Sequence, residues 1–163
     1  VYVTLNPVNP ALLARANNRL RDMQAGDAST SDNDIVARRW LPIDCDPGRP
    51  TGISATAVEH DLALARAREI RDYLGTRGWP EPLLADSGNG AHLLYRVDLP
   101  VDDGGLVTGA LAALAFRFTD ALVVVDEKNF NPARIWKLYG TVAAKGDHTP
   151  ERPHRLSRLV EGA

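Results

Sequence analysis

The chain has 163 residues, 44% hydrophobic and 25% charged, with a formal net charge of −2. That suits one globular domain with a sizeable core. No apolar run reaches the roughly 18 residues of a membrane-spanning helix, and no basic stretch followed by an apolar one marks a secretory signal. Near-zero net charge argues against a coat of non-specific nucleic-acid binding but leaves room for a local basic patch. Cys45 stands alone, so neither an internal disulfide nor a zinc knuckle is possible, and a reducing, cytoplasmic compartment is expected. The first residue is Val rather than Met, which reads as a fragment of a longer protein or a processed chain.

Taken in order, residues 1–5 read as a strand. Asn9-Pro10 opens a helix with Pro at its first position; Leu12, Leu13, Ala16, Leu20 and Met23 line one face and Gly26 ends it. A polar loop runs to Asp34. Residues 39–45 (RWLPIDC) read as a strand, with Pro42 predicting an edge or a bulge. Thr56 to Glu59 forms a capping box, so a helix should run to about Leu74 and stop at Gly75 and Gly78. Residues 83–86 and 91–97 are short apolar runs flanking Ser87-Gly88-Asn89-Gly90, a hairpin signal. Leu106, Ala110, Leu111, Leu114 and Phe118 space a second helix, residues 121–126 (ALVVVD) a β-branched strand, and residues 134–139 (RIWKLY) another. Residues 38–126 thus read strand, helix, strand, strand, helix, strand. That is the split βαββαβ order of ferredoxin-like and RNA-recognition-motif folds. The expectation is an α+β domain with both helices on one face of an antiparallel sheet and the other face open for a site. Residues 1–37 would be an N-terminal helical elaboration, 38–141 the core and 142–163 a basic C-terminal segment.

Three constellations could carry chemistry. On a strand Asp44 and Asp46 share one face and Cys45 takes the other. Two carboxylates side by side suit a hard divalent cation such as Mg²⁺, or else a strand running into a solvated turn. Cys45 reads as a small buried hydrophobe. The turn Ser87-Gly88-Asn89-Gly90 with His92 offers backbone N–H groups for an anion nest, a hydroxyl and an imidazole, or else a plain hairpin turn with a cross-strand histidine. Asp126 closes a hydrophobic strand, and a basic series follows: Arg134, Lys137, Lys145, Arg152, Arg155 and Arg158. Such a stretch suits phosphates, or else forms a solvated tail. Trp136 and Tyr139 could stack on bases, though packing suits Trp136 better. Together these parts are those of phosphoryl transfer: carboxylates for two metals, and basic groups for a triphosphate.

At this point the sequence resembles the archaeo-eukaryotic primase superfamily, the primase-polymerases, in the compact form carried by phages, plasmids and other mobile elements. The resemblance covers nearly the whole chain. It rests on the hydrophobic-Asp-hydrophobic-Asp strand at Ile43-Asp44-Cys45-Asp46, the Gly-rich turn from Ser87 to His92 and the hydrophobic-Asp pair Val125-Asp126. The segment from Asn131 to Thr141, followed by Lys145-Gly146 and Arg152-Pro153-His154-Arg155, completes it. It implies template-directed nucleotidyl transfer from dNTPs or NTPs with two Mg²⁺ or Mn²⁺ ions. Asp44, Asp46 and Asp126 would be the catalytic metal carboxylates. Ser87, Gly88, Asn89, Gly90, His92, Arg134, Lys137 and Lys145 would hold the nucleotide. Arg152, His154 and Arg155 would meet the template. It also implies a single-stranded DNA template and primer, a helicase domain or subunit as partner, no membrane, and a bacterial or phage-encoded cytoplasmic protein. Two rival readings are the polymerase domain of bacterial end-joining ligases and a catalytically inactive module that binds nucleic acid at a replication origin. In an ideal sheet of this kind the end of the last strand lies beside the start of the first. Bringing Asp126 to Asp44 and Asp46 therefore demands a shifted boundary or an elaborated sheet.

Overall fold

A computed structural model describes residues 1–161 other than 18, 20, 21, 23 and 28. Its strands are β1 (Tyr2–Thr4), β2 (Arg38–Pro47), β3 (Leu83–Asp86), β4 (Ala91–Leu99), β5 (Val123–Val125), β6 (Ile135–Lys137), β7 (Val142–Ala143), β8 (Arg155–Leu156) and β9 (Arg158–Glu161). Its α-helices are α1 (Ala57–Gly75) and α2 (Leu106–Phe118). The main sheet is antiparallel with strand order β5-β2-β4-β3-β9; β1 pairs with β6, and β7 with β8. This is a mixed α+β fold. Among the described residues no helix is long and apolar enough to cross a membrane.

Period-2 alternation builds the sheet and sends its two faces to different ends. Leu41, Ile43 and Cys45 of β2 join Ala91, Leu93 and Tyr95 of β4 and Val123 and Val125 of β5 in one apolar cluster. Ala63, Ala67, Ile70 and Leu74 of α1 and Val107, Leu111, Leu114 and Phe118 of α2 cover that face. Truncating a fully buried leucine such as Leu93 to Ala would cost about 2–5 kcal/mol. Asp44, Asp46 and His92 have the opposite parity and stand on the face the two helices leave uncovered.

The capping box is formed: Glu59 N–H donates to Thr56 Oγ1 at 3.2 Å and Thr56 N–H to Glu59 Oε2 at 2.8 Å. Leu106, expected inside, is 59% exposed, and Val107 is buried in its place. Pro42 fits β2 because β5 pairs only with residues 45–47, leaving that side of the strand open at Pro42. The bulge lies earlier, between Arg38 and Trp40. There Asn6 Oδ1 accepts from the backbone N–H of Arg39 and Trp40, and Asn6 Nδ2 donates to Pro132 O. A β-bulge leaves a residue unpaired in the ladder, and one buried side chain satisfies it.

Three expectations change. The N-terminal helix is a 3₁₀ helix over Pro10–Arg15 with no buried residue, so no packed face extends it through the described residues beyond; Leu20 and Met23 lie outside the described residues. The strand at 121–126 begins at Val123, and at three residues it is short enough for both ends to lie against the C-terminal end of β2. The segment from residue 142 is no solvated tail: β7, β8 and β9 fold back, and β9 becomes the fifth strand of the main sheet beside β3.

Candidate functional site

β2 and β4 run antiparallel with Asp44 opposite His92. Cys45 pairs with Val125 on the other side, and Asp126 N–H donates to Asp44 O at 2.9 Å. The shifted start of β5 thus carries Asp126 to the level of Asp44. A cavity of about 440 Å³ opens over this end of the sheet. Asp44, Asp46, Ser87, Asn89 and His92 line it together with Arg134, Trp136, Lys137 and Lys145, and with Val1 and Tyr2. Eight of the expected site residues therefore share one cavity. Gly88, Gly90, Asp126, Arg152, His154 and Arg155 do not line it.

The acidic side is electrostatically strained. Burial, then the charges of Asp46 and Asp126, push the Asp44 carboxyl well above the usual carboxylate range, and Lys145 and Arg49 offset this only in part. Arg49 Nη2 lies 3.5 Å from Asp46 Oδ1, and Asp126 Oδ1 accepts from Lys128 N–H at 2.8 Å. Among the described residues no three His, Cys, Asp or Glu side chains are already gathered as a metal-ligand set. Cys45 is fully buried on the helix face and burial pushes its thiol up, which makes it an inert packing residue.

His92 differs from expectation. Its ring is 6% exposed and packs on Trp136 with centroids 4.3 Å apart. Burial lowers its pKa to about 3, so at neutral pH it carries no charge. Its Nε2 is 3.5 Å from Asp44 Oδ1, and with a neutral ring this approach is not an ion pair. The charge-assisted phosphate contact expected of His92 becomes an ordinary hydrogen bond from a neutral imidazole. Its Nδ1 is 3.0 Å from the Tyr139 hydroxyl.

The glycine turn serves packing. A Cβ on Gly90 would stand 2.4 Å from Cys45 O, and one on Gly88, at φ +91°, 2.5 Å from Ala143 Cβ. The chain itself fills the room these glycines leave. Ser87 N–H donates to Gly90 O, Gly88 N–H to Asp86 Oδ1, and Gly90 N–H to Ser87 Oγ. Those three amides are taken and form no anion nest. Asn89 Oδ1 accepts from Ala55 N–H at 2.8 Å, tying the turn to the segment ahead of α1. Ser87 still has its own hydroxyl proton to offer the cavity.

On the basic side Lys137 Nζ donates to Val142 O at 2.8 Å, and burial, then Lys145, lowers its pKa. Arg134 Nη2 donates to Lys128 O at 2.6 Å. The later basic residues hold the fold. Arg152 clasps Glu59 through two hydrogen bonds of 2.8 and 3.0 Å, which hold that carboxyl below its usual range. Arg155 donates to Ala55 O, and His154 Nε2 lies 2.8 Å from Gly146 O.

Sequence reasoning missed the turn's other support. Asp86, 4% exposed, lies with Oδ1 2.8 Å from His60 Nε2 of α1 while also taking the Gly88 N–H. Burial pushes its carboxyl up, but the bonds from His60 and Gly88 prevail and hold it below the ordinary range. The one available signal was a histidine at an inward position of a helix whose other buried residues, Ala63, Ala67, Ile70 and Leu74, are apolar. Compared with family models, curated proteins and solved structures, the chain matches none.

Proposed function

We propose that the chain is a primase-polymerase catalytic domain, transferring nucleotides from nucleoside triphosphates to a primer 3′ end on a nucleic-acid template. One observation carries this reading: Asp44 and Asp46, with Asp126 of the adjacent strand near enough to raise Asp44, share a single cavity with Arg134, Lys137 and Lys145, although Asp126 itself does not line it. The topology supports it. Numbering only the βαββαβ strands, the order β5-β2-β4-β3 is fourth, first, third, second, with β9 added at one edge, an order that supports a ferredoxin-like or RNA-recognition-motif-like reading of the sheet.

The donor set fits hard divalent cations. Asp44, Asp46 and Asp126 offer only oxygen, and the burial and carboxylate repulsion that raise Asp44 are what a cation would offset. Mg²⁺ is held by one or two carboxylates together with substrate phosphates, so the set need not be closed before nucleotide arrives. Bound there, two Mg²⁺ or Mn²⁺ ions would neutralise charge on the attacking and leaving oxygens. In the reaction the primer 3′-hydroxyl oxygen bonds to the α-phosphorus and loses its proton to solvent, the bond from that phosphorus to the α–β bridging oxygen breaks, and pyrophosphate leaves with that oxygen. Lys137, Lys145 and Arg134 would take the negative triphosphate, Ser87 and His92 would add neutral donors, and Asp44, Asp46 and Asp126 would hold the cations. The template partner is single-stranded DNA.

The test is primer extension on a single-stranded template with nucleoside triphosphates, with Mg²⁺ or Mn²⁺ and with chelator. Extension that needs the divalent ion is expected. Template binding without extension under every metal condition would favour the inactive nucleic-acid-binding module.

A further inference from the structure

A nucleotide joins charged phosphates to a flat base, and the cavity has more than charge to offer. Val1, Tyr2, Ile135 and Val142 give it apolar lining besides its carboxylates and cations. Stacking a base needs an aromatic face that a ligand can reach. Of the residues lining the cavity, Tyr2, His92 and Trp136 are aromatic. Trp136 is 4% exposed, lies against His92, and its Nε1–H donates to Tyr139 Oη at 3.0 Å. It is a packing residue, His92 is buried with it, and Tyr139 does not line the cavity. Tyr2 differs from all of these: it lines the cavity and is 59% exposed.

Strand pairing holds Tyr2 in place. It stands opposite Lys137 in the register of β1 and β6, so the two side chains leave the ribbon on the same face. The Lys137 ammonium sits over the Tyr2 ring, 5.6 Å from its centroid, within cation–π reach. Lys137 Nζ is itself anchored on Val142 O. The ring is thus braced by a fixed cation while much of its surface stays open. An aromatic group held this way loses little freedom when a ligand arrives.

We infer that Tyr2 is a stacking platform for a nucleobase, set beside the lysine assigned to phosphate. The identity of the ligand rests on the proposed function. Every base has a π-face, so the platform is indifferent to sequence. The same ring can take the base of the incoming nucleotide or an unpaired base of the template, and the experiment separates the two.

Three ligands are titrated calorimetrically with Mg²⁺ present into the parental protein, Tyr2→Ala and Tyr2→Phe. They are a non-hydrolysable nucleoside triphosphate, inorganic triphosphate, which has the charges without the base, and a single-stranded homopolymeric oligodeoxynucleotide. Tyr2→Ala should weaken binding of a base-bearing ligand by about 5- to 10-fold, the lower end of what one stacked base contributes, and leave inorganic triphosphate unchanged. Tyr2→Phe, which keeps the ring, should bind as the parent does. A loss confined to the nucleoside triphosphate assigns the platform to the incoming base; a loss confined to the oligonucleotide assigns it to the template. Parental affinity of Tyr2→Ala for both base-bearing ligands, an equal loss for inorganic triphosphate, or a Tyr2→Phe protein as weak as Tyr2→Ala overturns the inference. So does a parental protein that binds neither base-bearing ligand. A parental protein that extends no primer overturns the proposed function instead, and the titrations still decide whether Tyr2 stacks a base.

Discussion

The molecule holds two His–Asp pairs, each with one member on the hairpin of β3 and β4, and they are opposites. His60 and Asp86 meet at 2.8 Å, and the carboxylate also accepts the Gly88 amide. His92 and Asp44 stand 3.5 Å apart, with His92 neutral and the Asp44 carboxyl pushed up by burial and its acidic neighbours. The first pair is satisfied internally and fastens the glycine turn to α1. The second is left electrostatically incomplete where the cavity opens. Identical residue types thus separate into a fastening and a candidate site by what surrounds them: a strained carboxylate beside open space marks a candidate functional group.

The contrast can be broken by four measurements. Asp44→Asn should have the largest effect: extension should fall by about 10³-fold or more, since a cation ligand supplies several kcal/mol of transition-state stabilisation. The fold should meanwhile gain roughly 1–2 kcal/mol without metal, because an uncompensated buried charge is removed. The sign follows from proton linkage. The folded state binds the Asp44 proton more tightly than the unfolded state does. Metal-free stability contributed here is therefore present at low pH and is lost as pH rises from the ordinary carboxylate range through the raised value. Denaturation of the metal-free protein across that range should show this slope in the parent and lose it in Asp44→Asn. Parental extension by Asp44→Asn would remove Asp44 from the chemistry.

Asp86→Ala should do the reverse, costing about 2–4 kcal/mol in urea denaturation by leaving His60 and the Gly88 amide without their acceptor. Because the Asp86 carboxyl is held low, its contribution is present above the ordinary carboxylate range and fades as pH falls. A loss under about 0.5 kcal/mol, the level of an ordinary surface change, would mean the pair is no fastening. Third, His92→Ala should weaken binding of a non-hydrolysable triphosphate by about 3- to 10-fold; calorimetric titration giving equal affinities would return His92 to packing alone. The smallest effect belongs to Arg158, whose side chain is 72% exposed and lies 3.9 Å from Asp86 Oδ2. Arg158→Ala should change stability by no more than about 0.5 kcal/mol, and if its guanidinium meets template it should reduce the salt slope of DNA binding by about one. A stability loss matching Asp86→Ala would make Arg158 part of the fastening.

Much of this arrangement was legible in sequence where the physics is local. The capping box at Thr56 and Glu59, the alternation that separates Asp44 and Asp46 from Cys45, and the hairpin around residues 87–90 each declare themselves within a few residues. Asp126 was harder, because its proximity to Asp44 depends on β5 starting at Val123 rather than Ala121, and a run of consecutive apolar residues does not mark its own first residue. The basic wall depended on pairings that no window contains: Tyr2 with Lys137, and Ala143 with Arg155. The roles of Gly88 and Gly90 were inverted for a similar reason, since room for a phosphate and room for Cys45 O call for the same residue. Tyr139 showed its aromatic ring in the sequence but not the hydroxyl's neighbours.

The ribbon of β1 and β6 also sets the order of events in folding. Residues of the acidic side lie between positions 44 and 126, whereas the opposite side needs residues 1–2 to return to residues 135–137. Closing so long a loop is entropically the costliest step, and contacts of such separation form slowly. During synthesis the carboxylates can therefore assemble on a nascent chain that has no basic wall to face them. On the proposed function, nucleotide would be gripped only after the last third of the chain has emerged and captured the first strand, so acquisition of binding would trail acquisition of helical structure in a refolding time course.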